Sequence, residues 1–314
     1  MTDSLREHGF ETIYFTARDG LRLHGRRYPA RRSGRSPVLC LPGLTRNSKD
    51  FHRLALYLSD LGDGARDVYT IDYRGRGRSD WSHDWKDYNI HAECLDVLDF
   101  MTLRGLEHAH VVGTSRGGMI AMVMGLLRPA ALLSVTLNDI GPVIERDGLM
   151  RIIGYVGRVP LPADWADAQK LVRDINRAQF PAVSDEEWME VAHAWFNDED
   201  GLPTQSYDPA LANAISMTNF DEGIPTLWPQ FDSLAKVPML AIRGESSDIL
   251  SPATHSEMAE RHPGMESLVV PQQGHAPLLT DEPTLATIAA FMDTADASRA
   301  TVPGRQPTPA SPVT

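Results

Sequence analysis

The sequence predicts an α/β protein: a doubly wound, mostly parallel sheet with a helical segment inserted near its middle. Three observations carry this. Short continuous apolar runs alternate with stretches of helical spacing through most of the chain, the pattern of parallel strands buried on both faces and joined by helices. The alternation stops between Pro142 and about Pro225, where helical spacing and aromatic residues continue without strand-like runs. The stretch from Val111 to Leu127 reads as a strand, a glycine-flanked turn and a helix in direct succession.

In order, Phe10 to Ala17 alternates apolar and polar residues, Arg18-Asp19-Gly20 supplies a hairpin turn, and Leu21 to Tyr28 reads as the partner strand. Five arginines between Arg26 and Arg35 read as a solvated loop, with an anion-binding arm as the alternative. Pro37 to Leu41 is a doubly buried strand ended by Pro42-Gly43-Leu44-Thr45-Arg46, and Phe51 to Leu61 has helical spacing. Asp67 to Asp72 is the next strand. The loop from Tyr73 to Asp80 is rich in Gly and Arg, but no helix bearing a third glycine follows, so a nucleotide cradle is disfavoured. Ile90 to Leu103 is helical, His108 to Val112 is a strand, and Ala131 to Leu137 is another, ending at Asn138-Asp139. The insertion shows helical stretches near 149–156, 165–178, 185–196 and 209–217, with aromatics that form its own core and line a cleft against the sheet. The pattern resumes with strands at Val237 to Arg243 and Ser267 to Val270, and helices at Ala253 to Arg261 and Thr284 to Met292. The expected organisation is therefore a core of 1–141 and 226–293, an inserted cap of 142–225, and a Pro-, Ala-, Ser- and Thr-rich disordered tail of 294–314.

Composition excludes more than it identifies. The 314 residues are 42% hydrophobic, enough for one large core, and carry 30 basic against 42 acidic groups for a net charge of −12. An acidic surface disfavours nonspecific nucleic-acid and anionic-membrane binding. There is no apolar run of membrane-spanning length and no signal-peptide core, so a cytoplasmic protein acting on a small molecule is expected, with a homodimer left open. Cys40 and Cys94 sit in apolar patterns and read as buried, reduced thiols. His83, His91, His108 and His110 show no metal-ligand spacing, and neither metal nor cofactor is expected.

The chemistry centres on Gly113-Thr114-Ser115-Arg116-Gly117. Gly-x-Ser-x-Gly arises by chance in about one chain in ten of this length. Its placement between a strand and a helix is what gives it meaning, as a turn that lifts a serine to a helix N-terminus with free backbone N–H groups. Serine is a weak nucleophile that needs a base and a group to orient that base. Asp248 and His275 follow Ser115 in chain order, each in a loop after an expected strand, and such loops share the carboxyl edge of a parallel sheet.

With these pieces the chain resembles the α/β-hydrolase fold superfamily over roughly residues 10 to 293, in particular its capped serine hydrolases of esterase or lactonase type. The matching segments are Leu41-Pro42-Gly43-Leu44, the run from Asp72 to Ser79, Gly113 to Gly118, Gly244 to Asp248, and Gly274-His275. The resemblance implies Ser115 as nucleophile, His275 as base, Asp248 as acid, and an oxyanion hole from the backbone N–H groups of Leu44 and Arg116. In some relatives the acid follows the strand after the elbow, which makes Asp139 a rival to the preferred Asp248. Two departures stand out: Pro42-Gly43 where many relatives have His-Gly, and Arg116 where small or apolar residues are commoner. Arg116 reads as half of an ion pair under the cap, with Asp139 as its natural partner, because an unpaired arginine there is costly to desolvate. Binding an anionic substrate group is the alternative. Tyr155 and Trp228 are candidate pocket residues, and Asp139 a candidate support.

The activity implied is hydrolysis of small to medium carboxylic esters or lactones through an acyl-enzyme on Ser115. A serine at the elbow argues against haloalkane dehalogenation. The alternatives are a carbon–carbon bond hydrolase acting on anionic ring-cleavage products, another acyl-group reaction such as perhydrolysis or amide cleavage, and a catalytically silent ligand receptor on the same fold.

Overall fold

The computed structural model describes residues 9–32, 34–216 and 223–300. Eight strands form one sheet: β1 (Glu11–Thr16), β2 (Arg22–Tyr28), β3 (Val38–Leu41), β4 (Val68–Ile71), β5 (Ala109–Thr114), β6 (Leu132–Asn138), β9 (Met239–Gly244) and β10 (Met265–Val270), in the order β1-β2-β4-β3-β5-β6-β9-β10. The β1–β2 and β2–β4 pairs are antiparallel and every later pair is parallel.

Alternate side chains of the central strands enter different cores, which is what a sheet covered on both faces requires. Val38, Cys40, Val112, Leu240 and Ile242 pack with α1 (His52–Ser59) and α10 (Glu282–Ala300), through Leu54, Leu58, Ile288 and Phe291. Leu39, Leu41, Val111, Met239 and Ala241 face the opposite way. There they meet α2 (Ile90–Leu103), α3 (Arg116–Leu127), α8 (Trp228–Asp232) and α9 (Pro252–Arg261), through Val97, Ile120, Phe231 and Met258. Cys40 and Cys94 are both buried and free.

The insertion between β6 and β9 contains α4 (Arg146–Tyr155), α5 (Trp165–Asn176), α6 (Asp185–Trp195) and α7 (Leu211–Ser216). Ala168, Val172, Phe180, Trp188, Ala192 and Phe196 give it a small core of its own. Ser184 begins α6 with a reciprocal capping box to Glu187, which explains the sharp start there. The expected stretch through Met217, and Phe220 after it, run past the described residues.

Two expectations need correcting. The insertion is not strand-free: β7 (Asn197–Glu199) and β8 (Leu202–Thr204) form a hairpin. Their strands lack apolar alternation, and the signal lay in Asp200-Gly201, whose φ angles of 53° and 81° are those of a two-residue turn. Nor does the core stop at residue 293, because α10 continues to Ala300. Ala295 is buried, and Asp296 accepts from the buried Arg66 at 2.7 Å and from Ser36 at 2.8 Å. The rest of the expected tail lies outside the described residues. No helix among the described residues is long and apolar enough to cross a membrane.

Candidate active site

β5 delivers Ser115 to the carboxyl edge of the sheet in a conformation (φ 51°, ψ −113°) that non-glycine residues rarely adopt. Its neighbours must be glycine. A Cβ on Gly113 would stand 2.5 Å from the Gly117 carbonyl carbon, and one on Gly117 would stand 2.0 Å from the Leu41 carbonyl oxygen. The serine amide donates to the Asn138 carbonyl at 3.0 Å, so the turn is pinned to the end of β6. Arg116 is the first residue of α3, where backbone N–H groups lack intrahelical acceptors. On the other side, a Cβ on Gly43 would lie 3.9 Å from Ser115 Cβ, which places the Pro42–Arg46 loop and Leu44 against the serine.

His275 stands in the loop after β10, with Nε2 3.0 Å from Ser115 Oγ. Its Nδ1 lies 2.8 Å from Oδ2 of Asp139, not from Asp248. Asp139 follows β6 directly, has φ 56° and is fully buried. Its carboxylate also accepts from Gly244 N at 2.7 Å and Ser247 Oγ at 2.6 Å. Three donors on one buried carboxylate satisfy it as an anion.

Asp248 is therefore corrected as the acid, and the cause is visible. Arg151 of α4 takes its carboxylate in a fork of 2.6 and 2.9 Å. Burial pushes the Asp248 carboxyl up, but Arg151 and Gln179 outweigh it and hold it below the usual carboxylate range. Gly148 packs so closely on the Asp248 backbone that a Cβ would sit 2.1 Å from its carbonyl oxygen. The loop after β9 thus docks the insertion, and the strand next to the elbow carries the carboxylate on His275. The signal for Asp139 was its place at the end of a buried strand beside the elbow.

Arg116 does form an ion pair, but with Glu93 at 2.6 Å rather than with Asp139, and its Nη2 donates to the Tyr88 carbonyl at 3.2 Å. Asp139 already has its three donors. Trp228 is corrected as a pocket residue: on the core helix α8 it stacks under Arg261, whose Cζ lies 3.9 Å from the ring centroid, and meets Phe231 edge-on. Tyr155 does line the cavity over Ser115.

That cavity has a volume of about 1160 Å³. Ser115, His275 and Leu44 form its floor, while Ile152, Tyr155, Trp188 and Trp195 come from the insertion. Sequence reasoning missed its polar side, Arg46 and Lys49. Arg46 pairs with Asp50 and lies over Trp195, and Lys49 donates to the Phe196 carbonyl. Burial pulls the Lys49 ammonium down to about 7. No group of three or more metal-ligating side chains occurs among the described residues.

Residues 36–282 match the family described as the alpha/beta hydrolase fold. The chain belongs to that family. It is 30% identical over 261 residues to a 3-hydroxybutyrate-oligomer hydrolase of Cupriavidus necator, covering 81% of this chain and 87% of that one. It is 28% identical over 266 residues to a 2-(acetamidomethylene)succinate hydrolase of Mesorhizobium japonicum, covering 84% and 90%. A crystal structure of an alpha/beta hydrolase from Novosphingobium aromaticivorans superposes with a TM-score of 0.84 at 35% identity, covering 91% of this chain and 98% of that one. Both curated relatives are hydrolases by name.

Proposed function

We propose that the protein is a serine hydrolase that cleaves small to medium carboxylic esters or lactones. The observation that carries this is the hydrogen-bonded line from Ser115 Oγ through His275 to the buried Asp139, with Ser115 and His275 facing a cavity that also holds the rings of Tyr155, Trp188 and Trp195. His275 takes the Ser115 proton as Oγ attacks the ester carbonyl, and Asp139 orients the ring and stabilises the imidazolium. The Leu44 and Arg116 N–H groups receive the developing oxyanion. His275 then protonates the leaving alcohol, and water, activated by the same histidine, releases the acid. The cavity volume of about 1160 Å³ suits a medium-sized ester. The relative named for 3-hydroxybutyrate oligomers is consistent with this reading.

Carbon–carbon cleavage of an anionic ring-cleavage product has less support. Its attraction was an arginine beside the nucleophile facing the substrate, whereas Arg116 pairs with Glu93 and is absent from the cavity lining.

The test is intact-protein mass after treatment with a fluorophosphonate. One adduct on the wild type and none on Ser115→Ala is the expected result, followed by turnover on a panel of esters and lactones. A wild type that takes no adduct refutes the proposal.

A further inference from the structure

The two segments flanking the nucleophile share one buried anchor. Glu93 on α2 is fully buried. Its Oε2 accepts from Arg116 Nε at 2.6 Å, and its Oε1 lies 2.8 Å from Arg76 Nη1. Arg76 is fully buried too; it donates Nε to the Leu44 carbonyl at 2.9 Å and Nη1 to the Arg74 carbonyl at 2.7 Å. The peptide before Leu44 is held by Arg46 N on the Gly43 carbonyl at 3.2 Å. Both peptides flanking the Leu44 Cα are thereby fixed, and the direction of its N–H with them.

We infer that Glu93 is a positioning residue for the oxyanion hole, acting through Arg116 on one side and through Arg76 and Leu44 on the other. The assignment rests on the acyl-transfer reading above. Oxyanion donors act by being set in place before charge develops, within about 2.7–3.1 Å of where the oxyanion will sit. One donor belongs to a loop and the other to a helix N-terminus on a different strand, so the distance between them depends on something that spans both. Among the described residues, Glu93 is the carboxylate that touches both Arg116, at the helix N-terminus, and Arg76, which holds the Leu44 carbonyl from the loop after β4. Stability alone is a poor reason for the cluster, since apolar residues of similar volume commonly serve a core as well as a buried ion pair does. Burial opposes ionisation of Glu93, but the two guanidinium groups outweigh it and hold the carboxyl below its ordinary range. The assignment also accounts for an arginine directly after the nucleophile, where the family resemblance leads one to expect a small or apolar residue.

The experiment uses the full chain, with Glu93→Gln and Arg76→Lys as variants. Lysine retains a cation against Glu93 but lacks the fork that also holds the Leu44 carbonyl. Each variant that unfolds cooperatively in urea is assayed for p-nitrophenyl ester turnover, for the rate of fluorophosphonate labelling, and for affinity toward a trifluoromethyl ketone, whose adduct places an oxyanion at the same point. The expected result is a kcat about 30- to 100-fold lower with KM within twofold, an equal loss of ketone affinity, and an unchanged pH profile of kcat/KM, since His275 and Asp139 are untouched. Variants that fold and keep kcat and ketone affinity within threefold overturn the assignment, as does a loss confined to KM. Should Glu93→Gln not fold, Arg76→Lys decides by the same criteria. The wild type is labelled first: no adduct there overturns the acyl-transfer reading itself, whereas wild-type labelling with undiminished variants overturns only the role of Glu93.

Discussion

Asp139 shows how much one residue's chemistry depends on its neighbours. Its positive φ turns the carboxylate back toward Gly244 N, Ser247 Oγ and His275 Nδ1 at 2.6 to 2.8 Å. Exchanging it for asparagine keeps the shape and removes the charge that holds the correct histidine tautomer. Asp139→Asn is expected to lower kcat by about 10⁴ with little change in KM. Asp248→Ala, which loses a partner of Arg151 but none of His275, is expected to retain activity within about tenfold. Steady-state ester kinetics on both variants distinguishes the two carboxylates, and the reverse ranking would return the acid to Asp248. From sequence the pair was hard to separate, because both follow buried strands at the same sheet edge. The deciding contact, His275 to a residue 136 positions earlier, is tertiary. The Ser115 turn was legible from Gly113 and Gly117, two residues to either side, although the Asn138 carbonyl that pins it and the Leu41 backbone that crowds Gly117 come from elsewhere in the chain.

At the scale of elements, local pattern located most strands and helices, and the misses trace to contacts from outside the element. α10 runs to Ala300 because Asp296 is drawn into the base of the sheet by Arg66, Ser36 and His110. Burial raises the Asp296 carboxyl, but His110, Arg66 and Ser36 outweigh it and place it well below the ordinary range. Its folded pKa is thus lower than its unfolded one, so its contribution is complete above about pH 4 and shrinks as pH falls further. Asp296→Ala is expected to cost about 2–3 kcal/mol at pH 7, because it leaves the buried Arg66 with fewer partners. The difference from wild type should narrow below about pH 4. Urea midpoints at pH 7 and pH 3 check both parts; equal destabilisation at the two pH values would contradict the linkage.

At the scale of the molecule, the insertion is tied to the core around the cavity rim. Arg151 pairs with Asp248, Asn47 donates to the Ala194 carbonyl at 2.9 Å, and Gln179 accepts from His275 N at 3.3 Å. The Arg151–Asp248 side chains are 30% and 28% exposed, so the pair is worth less than about 1 kcal/mol to stability. Its effect should fall on binding, since α4 also carries Ile152 and Tyr155 into the cavity. Arg151→Ala is expected to raise KM several-fold with kcat and melting temperature nearly unchanged, and an unaltered KM on a bulky ester would refute this. The sequence marked the insertion by its loss of strand pattern. Which of its aromatics face the cavity, and that Trp228 faces Arg261 instead, depended on how helices pack across the chain.

With the His275 partner on the strand beside the elbow, the loop after β9 divides its contacts: Ser247 holds Asp139, while Asp248 holds Arg151 of the insertion. The proposed proton handling and the docking of the insertion fall to separate carboxylates, Asp139 and Asp248. Apart from Gln179, which holds the His275 amide, the segment over the cavity contacts none of the proposed reacting groups through a hydrogen bond among the described residues, so most of it can change while those groups stay in register. Substrate range in such a scaffold can diversify by changing the roof alone, and a library confined to residues 146–216 with Gln179 retained would sample new specificities without rebuilding the nucleophile.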